Sequence, residues 1–326
     1  MERLLVVSSS PHIHAPLDTQ KIMAWVLVSL APAGIAGIYF FGLRSAAVMA
    51  VCVAASVLSE KIWQKCAKKK DTTCDLSAAV TGLLLAYNLP PTIPFWMAAV
   101  GCAFAIIIAK QFFGGIGCNF MNPALVGRAV MLSSWPVSMT TWTIDGVSGA
   151  TPLALIKAGS IGGISGATPL ALIKAGPTEN LPSLYNLFIG HVGGCIGETS
   201  SLALLIGFVL LLYKDIISWH IPVVYIATVA AFSAVFGRPA GPVYEIFAGG
   251  LMLGAIFMAT DYTTSPMTKK GQVIFAFGCG FLTALIRAFG GYPEGVSYSI
   301  LIMNLTVPLI DRFIQPHIFG EVKKRG

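Results

Sequence analysis

The chain consists of repeated apolar blocks of about the 20 residues that a helix needs to cross a bilayer core, separated by short polar joints. That feature leaves few folds open. In lipid every backbone N–H and C=O must be satisfied within the spanning structure, so only helices or closed barrels qualify. A barrel would show short alternating segments, which are not the pattern here. The predicted fold is therefore all-α, a polytopic membrane bundle. Composition agrees: of 326 residues 56% are hydrophobic and 11% charged, against roughly 25% charged in ordinary soluble domains, which excludes a soluble enzyme. The length accommodates about ten spans and leaves no room for a separate soluble catalytic domain.

The apolar runs place these spans at 22–42, 44–62, 75–89, 92–109, 119–133, 199–213, 219–236, 242–260, 271–290 and 296–314. Counting from an inner amino end, Lys61, Lys65, Lys68, Lys69, Lys70, Lys110, Lys214, Lys269, Lys270 and the tail Lys323, Lys324, Arg325 all fall on the inner side. Arg44, Lys157, Lys174 and Arg238 fall outside, a minority that the positive-inside bias tolerates. The net charge of +7 thus reads as topology and not as a nucleic-acid surface. The amino end MERLLVVSSSPHIHAPLDTQK lacks the pattern of a signal peptide and reads as a cytoplasmic arm. The expected division is a cytoplasmic arm 1–21, a first membrane half 22–133, an extracytoplasmic loop 134–183, a second membrane half 184–314 and a cytoplasmic tail 315–326.

The two halves carry a weak but ordered likeness. One contains TGLLLAYNLPP, a span ending at Lys110, FFGGIG and Asn119; the other contains GGLMLGAIFMATDYTTSP, a span ending near Arg287, AFGGYPEG and Asn304. Five spans per half would invert one half relative to the other, with broken helices meeting near the midplane, where helix ends can hold ions or polar cofactors. Chance likeness between Gly-rich apolar stretches is the alternative. A second repeat is beyond chance: SGATPLALIKAG occupies 148–159 and again 165–176, a local duplication.

Seven scattered cysteines without a C-x-x-C pair, and five histidines without ligand spacing, give no metal, iron–sulfur or haem site within this chain. A dinucleotide-binding glycine loop and a P-loop are also lacking, so NAD binding and ATP hydrolysis would belong to other chains.

Three segments remain as candidate sites. Asp145-Gly146-Val147-Ser148-Gly149-Ala150-Thr151 puts a hydroxyl among very small residues, open to a modifying enzyme, although such residues are ordinary in loops. In Asn119-Phe120-Met121-Asn122-Pro123 the two asparagines are three apart and can converge on one ligand, or Asn122 can simply cap a helix that starts with Pro123. Asp261, in Thr260-Asp261-Tyr262-Thr263-Thr264-Ser265-Pro266, is either an ion-pathway carboxylate or part of a helix-ending turn beside Lys269 and Lys270. Arg128, Glu198 and Arg287 could each be interfacial.

D-x-x-S-G-A-T on an outer loop, FMNPALVGRA at 120–129 and MATDYTTSPMT at 258–268, in that order, resemble the RnfD/NqrB family. Its members are the D subunit of the Rnf electron-transport complex and the B subunit of the sodium-pumping NADH:quinone reductase. The resemblance covers essentially the whole chain. It implies FMN joined by a phosphoester to the motif threonine, Thr151, by a flavin transferase that recognises Asp145, Ser148, Gly149 and Ala150. Thr168 is the alternative acceptor, with Gly162 where the motif aspartate should be. It further implies noncovalent riboflavin at Asn119 and Asn122. The expected function is that of a flavoprotein subunit in the bacterial-type inner membrane, relaying electrons between ferredoxin and NAD while Na⁺ or H⁺ is translocated. Iron–sulfur and NAD-binding subunits of the complex are the implied partners. Two other classes compete: a solute channel or secondary transporter without a redox cofactor, and a structural anchor for redox subunits that retains no flavin itself.

Overall fold

The computed structural model describes residues 18–69, 71–141, 143–144, 147–148, 168, 170, 173, 182–238, 240–290 and 294–315. Helices fall in all of the windows expected from sequence. They are α1 (Thr19–Phe41), α2 (Leu43–Cys66), α3 (Ser77–Tyr87), α4 (Phe95–Phe104, continued by a π-helical stretch Ala105–Gln111) and α5 (Pro123–Ser134). After a four-residue α6 (Pro136–Met139), Thr143–Ile144 and Val147–Ser148 form a two-residue antiparallel ladder, the only departure from helix among the described elements. The rest are α7 (Leu184–Ile189), α8 (Ser201–Tyr213), α9 (His220–Val235), α10 (Pro242–Phe247), α11 (Leu251–Leu253, continued by a π-helical stretch Gly254–Met258), α12 (Lys269–Phe289) and α13 (Val296–Phe313).

Among the described residues three helices, α1, α2 and α12, are long and apolar enough to cross a membrane. α13 fills its window with 18 residues, and several of the others are cut short by proline and glycine. Asn88-Leu89-Pro90-Pro91 ends α3, Ala248-Gly249-Gly250 interrupts the run from α10 to α11, and Pro123 begins α5 only after a stretch with three left-handed glycines, Gly114, Gly115 and Gly117. Side chains close the helix starts: Asp18 accepts from the adjacent Thr19 N–H at 2.8 Å, and Ser200 and Thr268 cap α8 and α12 by accepting from the Ala203 and Gly271 N–H groups, three residues on.

Small residues let the helices approach. α3 lies against α2 where Gly82 faces the Cys52 carbonyl, and α12 lies against α9 where Gly280 faces the Tyr225 carbonyl. α1 packs on α8, and helices from early and late in the chain share one apolar core that includes Leu30, Leu85, Leu204 and Phe257. Polar side chains join helices within it: the Tyr87 hydroxyl donates to the Leu30 carbonyl at 2.7 Å, and Tyr225, Thr283 and Ser299 form a closed hydroxyl triad.

Candidate functional site: a cavity at the broken helix ends

A cavity of about 380 Å³ opens where α1, α3, the start of α5 and the joint after α11 meet. Its walls are mostly apolar, with Met23, Val26, Val80, Leu84 and Phe257, and a few polar groups converge on it. Three of the sequence-predicted residues, Asn119, Asn122 and Asp261, line this one space although Asp261 is far from the asparagines in the chain.

Local chemistry places each of them. Asn122 is the cap of α5: its Oδ1 accepts from the Ala124 and Leu125 N–H groups at 3.0 and 3.4 Å. Its Nδ2 donates to the Met258 carbonyl at 3.2 Å, a carbonyl at the end of the π-helical stretch of α11. Asn119 donates to the Thr263 hydroxyl at 2.8 Å and to the Met121 carbonyl at 3.3 Å. Asp261 accepts from the hydroxyls of Thr263 and Thr264 at 3.1 and 3.3 Å, so the second joint folds around its carboxylate. Loss of water pushes the Asp261 carboxyl above its ordinary range, against the opposing pull of these hydroxyls and of Lys110. With its amide oriented to satisfy its neighbours, Asn304 of α13 donates to the Thr264 carbonyl and accepts from the Asn122 N–H, tying both joints to the last helix.

Sequence reasoning treated Lys110 as a topology marker and passed over Glu60. Both are buried. Lys110, one of the residues lining the cavity, donates through Nζ to Glu60 Oε1 at 2.9 Å and to Ser77 Oγ at 2.6 Å, and Gln111 Nε2 donates to the same Glu60 oxygen at 2.5 Å. The available signal was a lone carboxylate inside the apolar run of α2, which needs a partner at such depth.

Arg128, Glu198 and Arg287 are buried within the protein: each is less than 10% exposed and ion-paired. Arg128 donates to Glu198 at 3.0 Å, Asn88 at 2.7 Å, Ser297 at 3.0 Å and to Glu294. Arg287 and Arg238 share Glu245 at 3.0 and 2.8 Å. The reason is that proteins of this composition bury charges only as satisfied pairs. Cys195, Glu198 and Glu294 have ligand atoms within 4.8 Å of one another, but the Arg128 guanidinium, donating to both carboxylates and 3.9 Å from the Cys195 sulfur, is the cation of that group. Asn88 links this cluster to the cavity, since its Nδ2 is 3.7 Å from the Met258 sulfur and the Met258 carbonyl holds Asn122.

Of the duplicated loop, the second copy contributes Thr168, Leu170 and Ile173, all buried; the two apolar side chains pack with Leu187, Val192, Tyr244 and Ala248. Asp145, Gly149, Ala150 and Thr151 lie outside the described residues, and the backbone of Ser148 pairs with Thr143.

The residues at the cavity fit a flat heteroaromatic ligand such as riboflavin. Its volume lies in the roughly 300–1,000 Å³ range of small-molecule sites, and apolar walls with a few placed polar groups are what such a ring requires.

A helical bundle with buried ion pairs and broken helix ends around one cavity defines a class of polytopic membrane protein in which the irregular backbone lines a site. Similarity to known proteins makes the class specific: the description of the NQR2, RnfD, RnfE family matches residues 6–320, and the chain belongs to that family. It is 51% identical to the D subunit of the Na⁺-translocating ferredoxin:NAD⁺ oxidoreductase complex of Acetobacterium woodii, over 98% of this chain and 96% of that one. It is 45% identical to the D subunit of the proton-translocating ferredoxin:NAD⁺ oxidoreductase complex of Clostridium ljungdahlii, over 98% and 97%. With the D subunit of the ion-translocating oxidoreductase complex of Salmonella typhimurium the identity is 37%, over 97% and 99%.

Proposed function

We propose that this chain is the flavin-bearing D-type membrane subunit of an ion-translocating ferredoxin:NAD⁺ oxidoreductase complex. The observation that carries the reading is similarity to such subunits along nearly the full length of both chains. The chain would cross the inner membrane about ten times as two inverted five-helix halves, with both termini inside and the 134–183 loop outside; the helices found in all of the expected windows support that reading. The other subunits of the complex, among them iron–sulfur and NAD-binding ones, supply the ends of the electron path.

In this reading the outer loop carries FMN on Thr151, framed by Asp145, Ser148, Gly149 and Ala150, with Thr168 as the second-copy alternative. Riboflavin occupies the cavity beside Asn119 and Asn122. The flavins supply the redox chemistry, and the protein supplies position and electrostatics. Asp261 is the ion-pathway carboxylate: it sits on the same cavity wall, so the charge state of the cavity and the occupancy of the carboxylate are coupled through space. The related subunits are named for Na⁺ in one organism and for protons in another, so the ion is assigned by measurement.

The test is in-gel flavin fluorescence of the denatured chain, co-expressed with its flavin transferase. Loss of signal in Thr151→Val alone is expected. Loss in Thr168→Val alone moves the acceptor to the second copy. A wild-type chain without covalent flavin, beside a control substrate that the transferase modifies, overturns the flavoprotein reading in favour of a transporter.

A further inference from the structure

The asparagines that line the cavity have already spent most of their hydrogen-bonding capacity on the protein. Both N–H groups of Asn119 are committed, to Thr263 and to Met121, and Asn122 uses its Oδ1 on two backbone amides and one N–H on Met258. They shape the wall, and what remains to them is neutral: the Asn119 Oδ1 and one N–H of Asn122.

Lys110 is different. Its side chain is 3% exposed, the residue lines the cavity, and two of its three donors are committed, to Glu60 and to Ser77, which leaves one for a ligand. Glu60 does not line the cavity and is gripped by Gln111 as well, so the lysine is braced from behind at a fixed place. Lys110 also belongs to the π-helical stretch Ala105–Gln111, and Phe257 of the other such stretch, Gly254–Met258, lines the same cavity. Such stretches cost helix stability and recur at functional sites.

We propose that Lys110 is the residue that binds the acceptor edge of the flavin in this cavity and favours its reduced form. The inference rests on the reading of the cavity as a riboflavin site. Beside its one N–H donor the ring edge presents two carbonyl oxygens and two unprotonated ring nitrogens that accept hydrogen bonds, and it gains negative charge on reduction, which a buried ammonium stabilises more than it does the oxidised ring. Asp261, which lines the same cavity and feels the charge of Lys110, is the opposing charge there, while Glu60, the ion-pair partner of the lysine, does not line the cavity.

The experiment uses the assembled complex carrying wild type, Lys110→Arg, Lys110→Met, or the pair Glu60→Gln with Lys110→Met. The double variant removes both charges together, so that no unpaired carboxylate is left to unfold the helix pair. Riboflavin released by acid is quantified per complex, its affinity is measured by rebinding to flavin-depleted complex, and its midpoint potential by spectroelectrochemistry. Covalent flavin fluorescence of the same samples reports intact assembly.

Expected is at least tenfold weaker riboflavin retention in both methionine variants and near-normal retention in Lys110→Arg. A tenfold loss of preference for the reduced form corresponds to a potential lower by about 30 mV for a two-electron couple. An assembled double variant that keeps riboflavin with unchanged affinity and potential overturns the role of Lys110 while leaving the cavity assignment standing. A wild-type complex without riboflavin overturns the cavity assignment, and the inference with it.

Discussion

At the scale of single residues, charge burial decides the most. Glu245 neutralises two arginines at once, Arg238 and Arg287, in a site where all three are shielded from water. Glu245→Ala leaves two uncompensated guanidiniums, and breaking a buried pair costs about 3–5 kcal/mol. A marked drop in thermal midpoint of the detergent-solubilised protein is expected, with partial recovery in Glu245→Gln. Asp261 gives a pH signature, because desolvation raises its pKa above the ordinary carboxylate range. The folded chain then binds that proton more tightly than the unfolded chain does, so stability falls as pH rises through the raised value and levels off above it. Asp261→Asn abolishes this slope, which thermal unfolding across the acidic range measures. The asparagine motif and the aspartate were visible in the sequence as polar residues beside helix-stopping joints. Lys110 and Glu60 were not seen as a pair because 50 residues separate them and only packing of α2 against the end of α4 joins them.

At the scale of elements, helix ends and close contacts carry the fold. Asn122 was legible as a cap from Asn-Pro at the start of an apolar run, and it holds two amides of α5. Asn122→Ala loses the cap, about 0.5–2 kcal/mol, together with the link to Met258, so amide exchange should accelerate in the first turn of α5 and around Met258. Gly82 has a different role. A Cβ there would lie 2.6 Å from the Ser56 hydroxyl and 2.7 Å from the Cys52 carbonyl, so Gly82→Val pushes α3 off α2. Overpacking of this kind costs about 1–3 kcal/mol. Its readout is increased reactivity of Cys52, buried in the wild-type contact, toward a small thiol reagent. The short helices were harder to read: the apolar pattern runs through Gly249 and Gly250, and only the structure shows that the helix does not.

At the scale of the whole molecule, orientation is the testable property. In a cysteine-free background, an impermeant thiol reagent should label Lys69→Cys and Lys270→Cys only from the inner side, and Tyr185→Cys only from the outer side. Labelling of Lys69→Cys and Lys270→Cys from opposite sides would refute the five-and-five arrangement. The sequence by itself determined that this is a helical membrane protein and where its apolar runs lie, because the bilayer allows so few ways to satisfy a backbone. Only the tertiary structure decided that two distant joints share one cavity, that Arg128, Arg287 and Lys110 are buried counter-charges, and that the second loop copy packs Leu170 and Ile173 against α7 and α10. Those facts depend on which helices touch, and hydropathy is the same whether an apolar face meets lipid or another helix.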